Sequence, residues 1–169
     1  MIRQAIRLIS DMLESVTDNA YFEARQIVSE ISGGKMPFEE ITEAQLAECE
    51  DKAKRRKTGE PLQYLLGEWD FMSLTLSCGE GVLIPREDTA VLVEAVCKRL
   101  SKTENLPKGL DLCAGTGAVG LSIAKEAHAE VTEVELYDGA FNYLNENLAR
   151  YPELPVTAVK GDILNKAFA

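Results

Sequence analysis

Apolar residues recur at intervals of three and four positions through the first sixty residues, and this spacing predicts amphipathic helices. The stripe of the first helix consists of Ile2, Ile6, Ile9 and Leu13. A second helix is predicted from about Ala20 to Ile31, with Phe22, Ile27 and Ile31 expected to be buried. Gly33 and Gly34 follow it and favour its end, because glycine readily adopts the left-handed conformation found after helices.

A third helix is predicted to open at Thr42, because Thr42 and Gln45 form a capping-box pattern. Its apolar positions are Leu46, Cys49 and Ala53. Gly59 and Pro61 are expected to stop it. Three or four short helices of this kind predict a small helical bundle as the first domain, residues 1–60.

The hydrophobic period changes between Leu62 and Ile84. Apolar Met72, Leu74 and Leu76 alternate with polar Ser73, Thr75 and Ser77, which is strand spacing. Gly79 and Gly81 are expected to form a turn before a second apolar run, Val82–Ile84. The pattern predicts a β-hairpin in a linker that spans residues 61–86.

Strands and helices alternate from residue 87 to residue 169, and this order predicts a parallel sheet with right-handed crossovers. Asp88 or Thr89 is expected to cap a helix through residues 91–96. Strands are predicted near 110–113, 131–136 and 156–160, with helices near 117–127 and through Phe141, Leu144 and Leu148 between them. The fold class is therefore α/β, with about three parallel strands present.

The composition, 46% hydrophobic and 27% charged over 169 residues, is typical of a soluble globular protein. No apolar run approaches the roughly 20 residues of a membrane span, and the amphipathic start is not a secretory signal. The four cysteines are widely spaced and form no CxxC pair, so we expect a reduced cytoplasmic protein without a zinc site. The single histidine, His128, excludes a His-rich metal centre and is expected at the surface near a helix end.

The formal net charge is −10, from 18 Lys and Arg against 28 Asp and Glu. Such a chain has no overall attraction for phosphate backbones, so no direct nucleic-acid partner is expected. The exception is a basic cluster formed by Lys52, Lys54, Arg55, Arg56 and Lys57. Cations in the last turn of a helix offset the negative end of its dipole, and we favour this interpretation over a docking patch.

The segment GLDLCAGTGAVGLSIA, Gly109–Ala124, has the form of an apolar strand, a glycine turn and the start of a helix. Three glycines, Gly115, Gly117 and Gly120, spell GxGxxG, and Glu135 follows where the ribose-binding acid of a dinucleotide site is expected. Asp111, however, would repel a pyrophosphate and suits a ligand with a positively charged amino group. S-adenosylmethionine is such a ligand, so Asp111 favours methyl transfer over NAD chemistry. Gly120 is interpreted as a position of close packing against the sheet.

In this interpretation Asp111 holds the methionine amino group, directly or through water. The backbone lying against the methionine and ribose comes from Cys113, Ala114, Gly115, Thr116 and Gly117. Glu135 accepts both ribose hydroxyls, and Asp162 accepts from the adenine amino group, with Ile163 beside it. Each acid alone could be a helix cap or a solvated charge. Together they follow three successive strands, where an open α/β sheet binds its ligand.

The sequence from about Lys57 to Asp162 resembles the family that methylates the glutamine nitrogen in the GGQ motif of peptide chain release factors. GEPLQYLLGEWDF (Gly59–Phe71) is similar to that family's inter-domain hairpin. VLIPREDTAVLVE (Val82–Glu94) is similar to the segment entering its catalytic domain. DLCAGTGAVGLSIA and VTEVELYDGAF (Val131–Phe141) are similar to its cofactor loop and ribose-binding strand end.

The resemblance implies the first half of a Rossmann-like methyltransferase sheet behind a release-factor-binding helical domain. It implies S-adenosylmethionine as cofactor, a release factor as protein substrate, and Pro85, Arg86 and Thr89 as substrate-contacting residues. There are departures at four positions: Cys113 replaces a usual glycine, Glu135 a usual aspartate, and Glu87 and Ala90 stand where the family has a proline and an acid. The replacement at Cys113 is expected to be tolerated.

The family's Asn-Pro-Pro-Tyr motif, which holds the substrate amide, does not occur in these 169 residues. We therefore expect a fragment without turnover, whose first strand has an unpaired edge that favours self-association. Two other hypotheses are an NAD-dependent oxidoreductase, supported by GxGxxG, and a non-catalytic module that docks a release factor.

Overall fold

The computed structural model describes residues 1–102 and 106–165. Its contacts divide the chain into two compact units, Met1–Gly67 and Glu68–Ala169. The predicted linker, residues 61–86, is shared between them: residues 61–67 belong to the first unit and the hairpin belongs to the second.

The first unit contains four helices: α1 (Ile2–Leu13), α2 (Ala20–Ser32), α3 (Glu43–Lys57) and α4 (Leu62–Leu66). The predicted stripe of α1 is confirmed, since Ile2, Ile6, Ile9 and Leu13 are all buried. The capping box is also confirmed: Gln45 N donates to Thr42 Oγ1, and Thr42 N donates to Gln45 Oε1. Gly33 ends α2 in the left-handed conformation, as predicted.

The buried face of α2 differs from the predicted one. Ala20, Ala24, Ile27 and Val28 form that face. Ile27 is buried as expected, but Phe22 is 51% exposed and Ile31 is only partly buried. Phe22 lies two residues from both Ala20 and Ala24, which on a helix places it away from the packed stripe.

The basic cluster at the end of α3 is largely paired with carboxylates of its own unit. The Arg56 guanidinium donates to both carboxylate oxygens of Glu23, at 2.8 and 3.2 Å. Lys52 pairs with Glu30 at 2.7 Å, and Arg55 with Glu60 at 2.6 Å. Four of the cluster's five cations also lie in the last helical turn. The cluster therefore has a structural role within the first unit.

Residues Leu62–Leu66 form α4, so the predicted change to strand spacing at Leu62 is wrong for this segment. Pro61 precedes the helix and Gly67 ends it with φ 77°. Leu62 and Leu65 are buried, and their separation of three residues places them on one helical face. A short run of this kind carries too few positions to distinguish a helix from a strand.

The second unit begins with a hairpin of β1 (Glu68–Phe71) and β2 (Leu74–Ser77), paired antiparallel. A hairpin was predicted, but its two strands differ from those expected. Met72 lies in the two-residue turn with φ 51°, and Val82–Ile84 form no strand. Glu68–Phe71 is the actual partner of β2, because a two-residue connection lets it pair directly.

Helix α5 (Ala90–Leu100) follows a 3-10 turn at Glu87–Thr89. Thr89 is the N-cap residue of α5, which agrees with one of the two predicted positions, but its side chain makes no capping hydrogen bond. The Asp88 carboxylate lies 3.6 Å from the Arg86 guanidinium. The 3-10 turn leads directly into α5 and takes the place of a side-chain cap.

The α/β part of the prediction is confirmed. Its elements are β3 (Lys108–Leu112), α6 (Ala118–Ala127), β4 (Glu130–Glu135), α7 (Asp138–Arg150) and β5 (Val156–Lys160). The strands form one parallel sheet in the order β3-β4-β5, a Rossmann-like arrangement. Exposed His128 stands at the end of α6, as expected.

Strand β3 lies at the edge of the described sheet, as the sequence predicted. Leu110 is 63% exposed and Leu112 46% exposed, so apolar side chains of this edge strand face solvent. Among residues 1–102 and 106–165, no helix has both the length and the apolar character needed to span a membrane.

Candidate ligand-binding site

The candidate site lies at the edge of the sheet where the three parallel strands end. Leu112 at the end of β3 is the register partner of Val134, and Glu135 at the end of β4 is the partner of Lys160. Gly161 N donates to Glu135 O at 3.0 Å, which continues this pairing beyond β5. The structure therefore brings the glycine loop, Glu135 and the start of the Asp162 turn to one edge of the sheet, as the sequence predicted.

The loop between β3 and α6 is built on left-handed backbone at alternate positions. Cys113, Gly115 and Gly117 have φ values of 65°, 60° and 82°. Gly117 N donates to Ala114 O at 2.9 Å and closes the turn. Of the five loop residues predicted to contact cofactor, Cys113, Ala114 and Gly115 are accessible, whereas Thr116 and Gly117 are buried.

Cys113 occupies a backbone conformation that suits glycine. A residue with a β-carbon in the left-handed region costs about 1–2 kcal/mol more than in the right-handed region. This explains physically why a glycine would be preferred at this place. Cys113 therefore carries local backbone strain.

We expect Cys113→Gly to raise the free energy of unfolding of the second unit by about 0.5–1 kcal/mol. The variant removes the left-handed strain but gives the unfolded chain additional backbone freedom, which offsets part of the gain. Urea unfolding followed by Trp69 fluorescence measures the effect, since Trp69 lies in this unit. Cys113→Ser is the control, because it keeps the β-carbon and should show no gain. Equal stabilities of all three proteins would contradict the strain.

Glu135 is buried, 6% exposed, and its carboxylate is held by three backbone amides. Gly115 N donates to Oε2 at 2.9 Å, while Leu136 N and Tyr137 N donate to Oε1 at 2.8 and 2.9 Å. A carboxylate offers about four acceptor positions. Glu135 therefore ties β4 to the glycine loop and has roughly one acceptor position left for a ligand hydroxyl.

Asp111 lies on β3 below the first turn of α6. Its Oδ2 accepts a hydrogen bond from Gly120 N at 3.1 Å. Burial raises the pKa of the Asp111 carboxyl, and the Gly120 N–H opposes that rise. Asp111 thus combines the role of a helix cap with that of a partly buried acid beside the loop. Within residues 1–102 and 106–165, its Oδ1 accepts no hydrogen bond.

Glu133 is an acid of this site that the sequence analysis missed. It is fully buried on β4, and its Oε1 accepts from Leu121 N at 3.1 Å. Burial, followed by the nearby Asp111 charge, raises the pKa of Glu133 to about 9. A β-carbon at Gly117 would lie 2.9 Å from Glu133 Oε2, so the loop packs directly on this carboxyl. The available signal was a charged residue in the middle of a predicted buried strand.

The third glycine of the loop is explained by the same contact. A β-carbon at Gly120 would overlap Glu133 Oε1 and lie 2.8 Å from its carboxyl carbon. The predicted close packing of Gly120 against the sheet is therefore confirmed. In this chain the last glycine of GxGxxG allows α6 to pack on Glu133, so the motif alone does not indicate a dinucleotide.

Asn147 of α7 is a second residue that the sequence analysis missed. It is completely buried, and its Nδ2 donates to Thr116 O at 2.9 Å and to Ser77 O at 3.1 Å. Ser77 N in turn donates to Asn147 Oδ1 at 2.6 Å. The Asn147 side-chain amide therefore links the glycine loop to the hairpin. The available signal in the sequence was an asparagine at a position of α7 where apolar residues are expected.

The residues after β5 are at the surface. Asp162 Oδ1 accepts from Leu164 N at 2.9 Å, which forms a local turn, and Ile163 is 39% exposed. Lys160, at the end of β5, pairs with Asp138 at the start of α7. The second Asp162 oxygen and the Ile163 side chain are thus presented near the strand ends.

The candidate substrate residues Pro85, Arg86 and Thr89 lie where the chain enters α5. Arg86 is exposed and pairs with Asp88. Val82, which precedes this segment, packs against the glycine loop: a β-carbon at Gly115 would lie 3.8 Å from Val82 Cγ2. Across the described parts of the chain, no group of three or more His, Cys, Asp or Glu residues could hold a metal ion.

Comparison with known proteins points to one family. Residues 4–67 match the family described as the PrmC N-terminal domain. The release factor glutamine methyltransferase of Thermodesulfovibrio yellowstonii is 38% identical over 130 residues, covering 75% of this chain and 46% of that protein. The corresponding protein of Coxiella burnetii is 37% identical over 131 residues, covering 74% and 47%.

Among solved structures, the N-terminal domain of human METTL16 aligns with a TM-score of 0.46 and 15% identity, covering 75% of this chain and 46% of that one. The chain thus resembles release factor glutamine methyltransferases in sequence along most of its length. It spans about half the length of the two curated relatives described above.

Proposed function

We propose that this chain supplies the release-factor-binding helices and the cofactor-binding strand ends of a release factor glutamine methyltransferase. The activity of the whole protein would be transfer of a methyl group from S-adenosylmethionine to the side-chain nitrogen of a release factor glutamine. The observation that carries the proposal is the partly buried Asp111 carboxylate beside a glycine loop, at the same sheet edge as Glu135.

The residues present fit S-adenosylmethionine. Its amino group is cationic, and Asp111 offers a carboxylate whose Oδ2 is engaged by Gly120 while Oδ1 can accept from a ligand. Accessible backbone at Cys113–Gly115 can lie against the methionine part. Glu135 can accept a ribose hydroxyl at its remaining acceptor position. If Glu135 is to accept hydrogen bonds from both ribose hydroxyls, as the sequence predicts, one of its three hydrogen bonds from backbone amides must break.

A pyrophosphate fits these residues poorly. Asp111 lies on β3 under the first turn of α6, where its Oδ2 accepts a hydrogen bond from Gly120 N. An acid at that place opposes the attraction that a helix N-terminus otherwise has for phosphate. The packing of Gly120 on Glu133 is compatible with either cofactor, because the third glycine of GxGxxG serves helix–strand packing in dinucleotide sites as well. The NAD-dependent hypothesis therefore has less support than methyl transfer.

When bound, S-adenosylmethionine supplies an electrophilic methyl group. The residues of this chain contribute to the reaction by binding and orienting. Asp111 fixes the amino end, Glu135 fixes the ribose, and Asn147 holds the loop through Thr116 O. A fixed orientation of the methyl donor lowers the entropic part of the barrier for attack by an amide nitrogen.

We expect Asp111→Asn to weaken S-adenosylmethionine binding about 10- to 100-fold at pH 7, since a hydrogen bond to a charged group contributes about 1.5–3 kcal/mol. The asparagine oxygen can still accept from Gly120 N, so stability should change little. Isothermal titration calorimetry measures the affinity. Asp70→Asn, a hairpin acid bonded to Thr75, is the matched control. Equal affinity of all three proteins, or tighter binding of NAD, would contradict the proposal.

The release factor is the proposed protein partner of the first unit, on the strength of the match over residues 4–67. Pull-down of a purified release factor by this chain tests the interaction directly. Binding that persists in Asp111→Asn would place the docking surface apart from the cofactor site. Retention of release factor without any S-adenosylmethionine binding would favour the non-catalytic docking module.

A further inference from the structure

Two carboxyl groups support the start of α6 from the sheet below it. Asp111 Oδ2 accepts from Gly120 N, and Glu133 Oε1 accepts from the next amide, Leu121 N, both at 3.1 Å. The two acids are register partners on neighbouring strands. Glu133 Oε2 is buried and has no hydrogen-bond partner among the residues that the structure describes, although it lies close to Gly117.

We propose that Glu133 is a positioning residue for the cofactor loop: its uncharged carboxyl supports Gly117 and Gly120 from below, and the loop binds cofactor only while that carboxyl keeps its proton. This inference rests on the proposed function, because it concerns the same loop. It deepens that proposal by adding a residue that touches no ligand but sets the position of the backbone that does.

The surroundings of Glu133 favour the neutral acid. The charged group that faces it is Asp111 from β3, which repels a second negative charge. The other neighbours are uncharged: Gly117, Gly120 and Leu121 at the start of α6, Leu144 of α7 next to Gly117, and Ala158 of β5 in register. Burial is the larger cause of the raised pKa of about 9.

Ionisation of Glu133 would leave a buried carboxylate oxygen unsolvated against another acid. Burying an unpaired charge is strongly unfavourable, so the loop would have to move to admit water. Gly117 and Gly120 pack against the carboxyl, and Gly117 directly follows the buried Thr116 of the cofactor loop. Cofactor binding should therefore weaken as Glu133 loses its proton.

The first test is the pH dependence of stability for Glu133→Gln, which keeps the shape of the neutral acid. Folded Glu133 retains its proton up to a pH of about 9, whereas the unfolded residue loses it near its ordinary pKa of 4.5. The wild-type protein must therefore lose stability relative to Glu133→Gln as pH rises from about 5 to 9. Urea midpoints followed by Trp69 fluorescence should diverge over that range. Glu130→Gln, an exposed acid on the same strand, should show no such divergence.

The second test is binding of S-adenosylhomocysteine, which avoids the alkaline lability of the methyl donor. The ratio of wild-type to Glu133→Gln dissociation constants should be about 1 at pH 7 and rise roughly 10-fold at pH 10, since only the protonated fraction binds. Titration of the ligand's own amino group affects both proteins equally and cancels in this ratio.

The outcomes separate the two proposals. A midpoint difference that stays constant from pH 5 to 9 overturns the inference, with or without ligand binding. A diverging midpoint with a pH-independent affinity ratio makes Glu133 purely structural and also overturns it. Absence of binding by every variant at every pH overturns the proposed function, and with it the positioning role, while the midpoints still report the proton on Glu133.

Discussion

Gly120→Ala is expected to destabilise the second unit by about 2–3 kcal/mol, within the range for overpacking a core. The added methyl group would overlap Glu133 Oε1 and lie 2.8 Å from both Cδ and Cγ of the same side chain. Neither residue can move freely, because Glu133 is fully buried and Gly120 is bonded through its N–H to Asp111. The better helix propensity of alanine, about 1 kcal/mol, offsets only part of this loss.

Urea unfolding followed by Trp69 fluorescence measures the Gly120→Ala effect. Gly139→Ala is the matched control, since Gly139 lies in α7 and a β-carbon there would meet nothing within 4 Å. That control should be neutral or stabilising. The double variant Glu133→Ala/Gly120→Ala should be about 1–3 kcal/mol more stable than the sum of the two single effects predicts, because removal of the carboxyl makes room for the methyl group. Strictly additive effects would disprove the contact.

Arg56→Met is expected to destabilise the first unit by about 2–3 kcal/mol, less than the cost of about 3–5 kcal/mol for a fully buried ion pair, because the Arg56 side chain is partly exposed. Glu23 is 7% exposed, and both of its oxygens accept from the Arg56 guanidinium. Methionine preserves most of the side-chain volume of arginine. The loss of stability would therefore come mainly from the unpaired Glu23 carboxylate and not from a cavity. Hydrogen exchange of the α2 and α3 amides measures the stability of this unit.

Two further variants test the cause of the Arg56→Met effect. Arg55→Met on the same helix removes a more exposed pair with Glu60 and should have a small effect. Glu23→Leu combined with Arg56→Met replaces both charges and should restore most of the lost stability. A double variant as unstable as Arg56→Met alone would show that shape, and not charge, carries the interaction.

The acids of the candidate site make hydrogen bonds within the fold itself, which limits what a single substitution can test. Asp111 and Glu133 accept hydrogen bonds from backbone N–H groups at the start of α6. Glu135 accepts them from the glycine loop and from the residues that precede α7. Substitution of Glu135 by alanine would remove three main-chain bonds at once, so a loss of binding would not isolate a ribose contact. Asp111→Asn is the sharper test, because its amide oxygen keeps the bond to Gly120.

Local sequence patterns predicted the helices and the parallel sheet well where the signal was long. The stripe of α1, the capping box of α3 and the alternation of β3, α6, β4, α7 and β5 each extend over several positions. Short segments were less certain. Leu62–Leu66 and Val82–Ile84 were assigned to the wrong structure, because three to five apolar residues fit a helix, a strand or a loop equally well.

By itself the sequence determined the order of elements, the glycine loop at a strand end and the acids Asp111, Glu135 and Asp162 around it, because these follow from periodicity and chain order. Only the tertiary structure decided which oxygens remain for a ligand, and that Glu133 and Asn147 hold the loop in place. Those roles depend on contacts between β4, α6, α7 and the hairpin. Partners 12 to 70 residues apart in the chain leave no local pattern by which a sequence could reveal them.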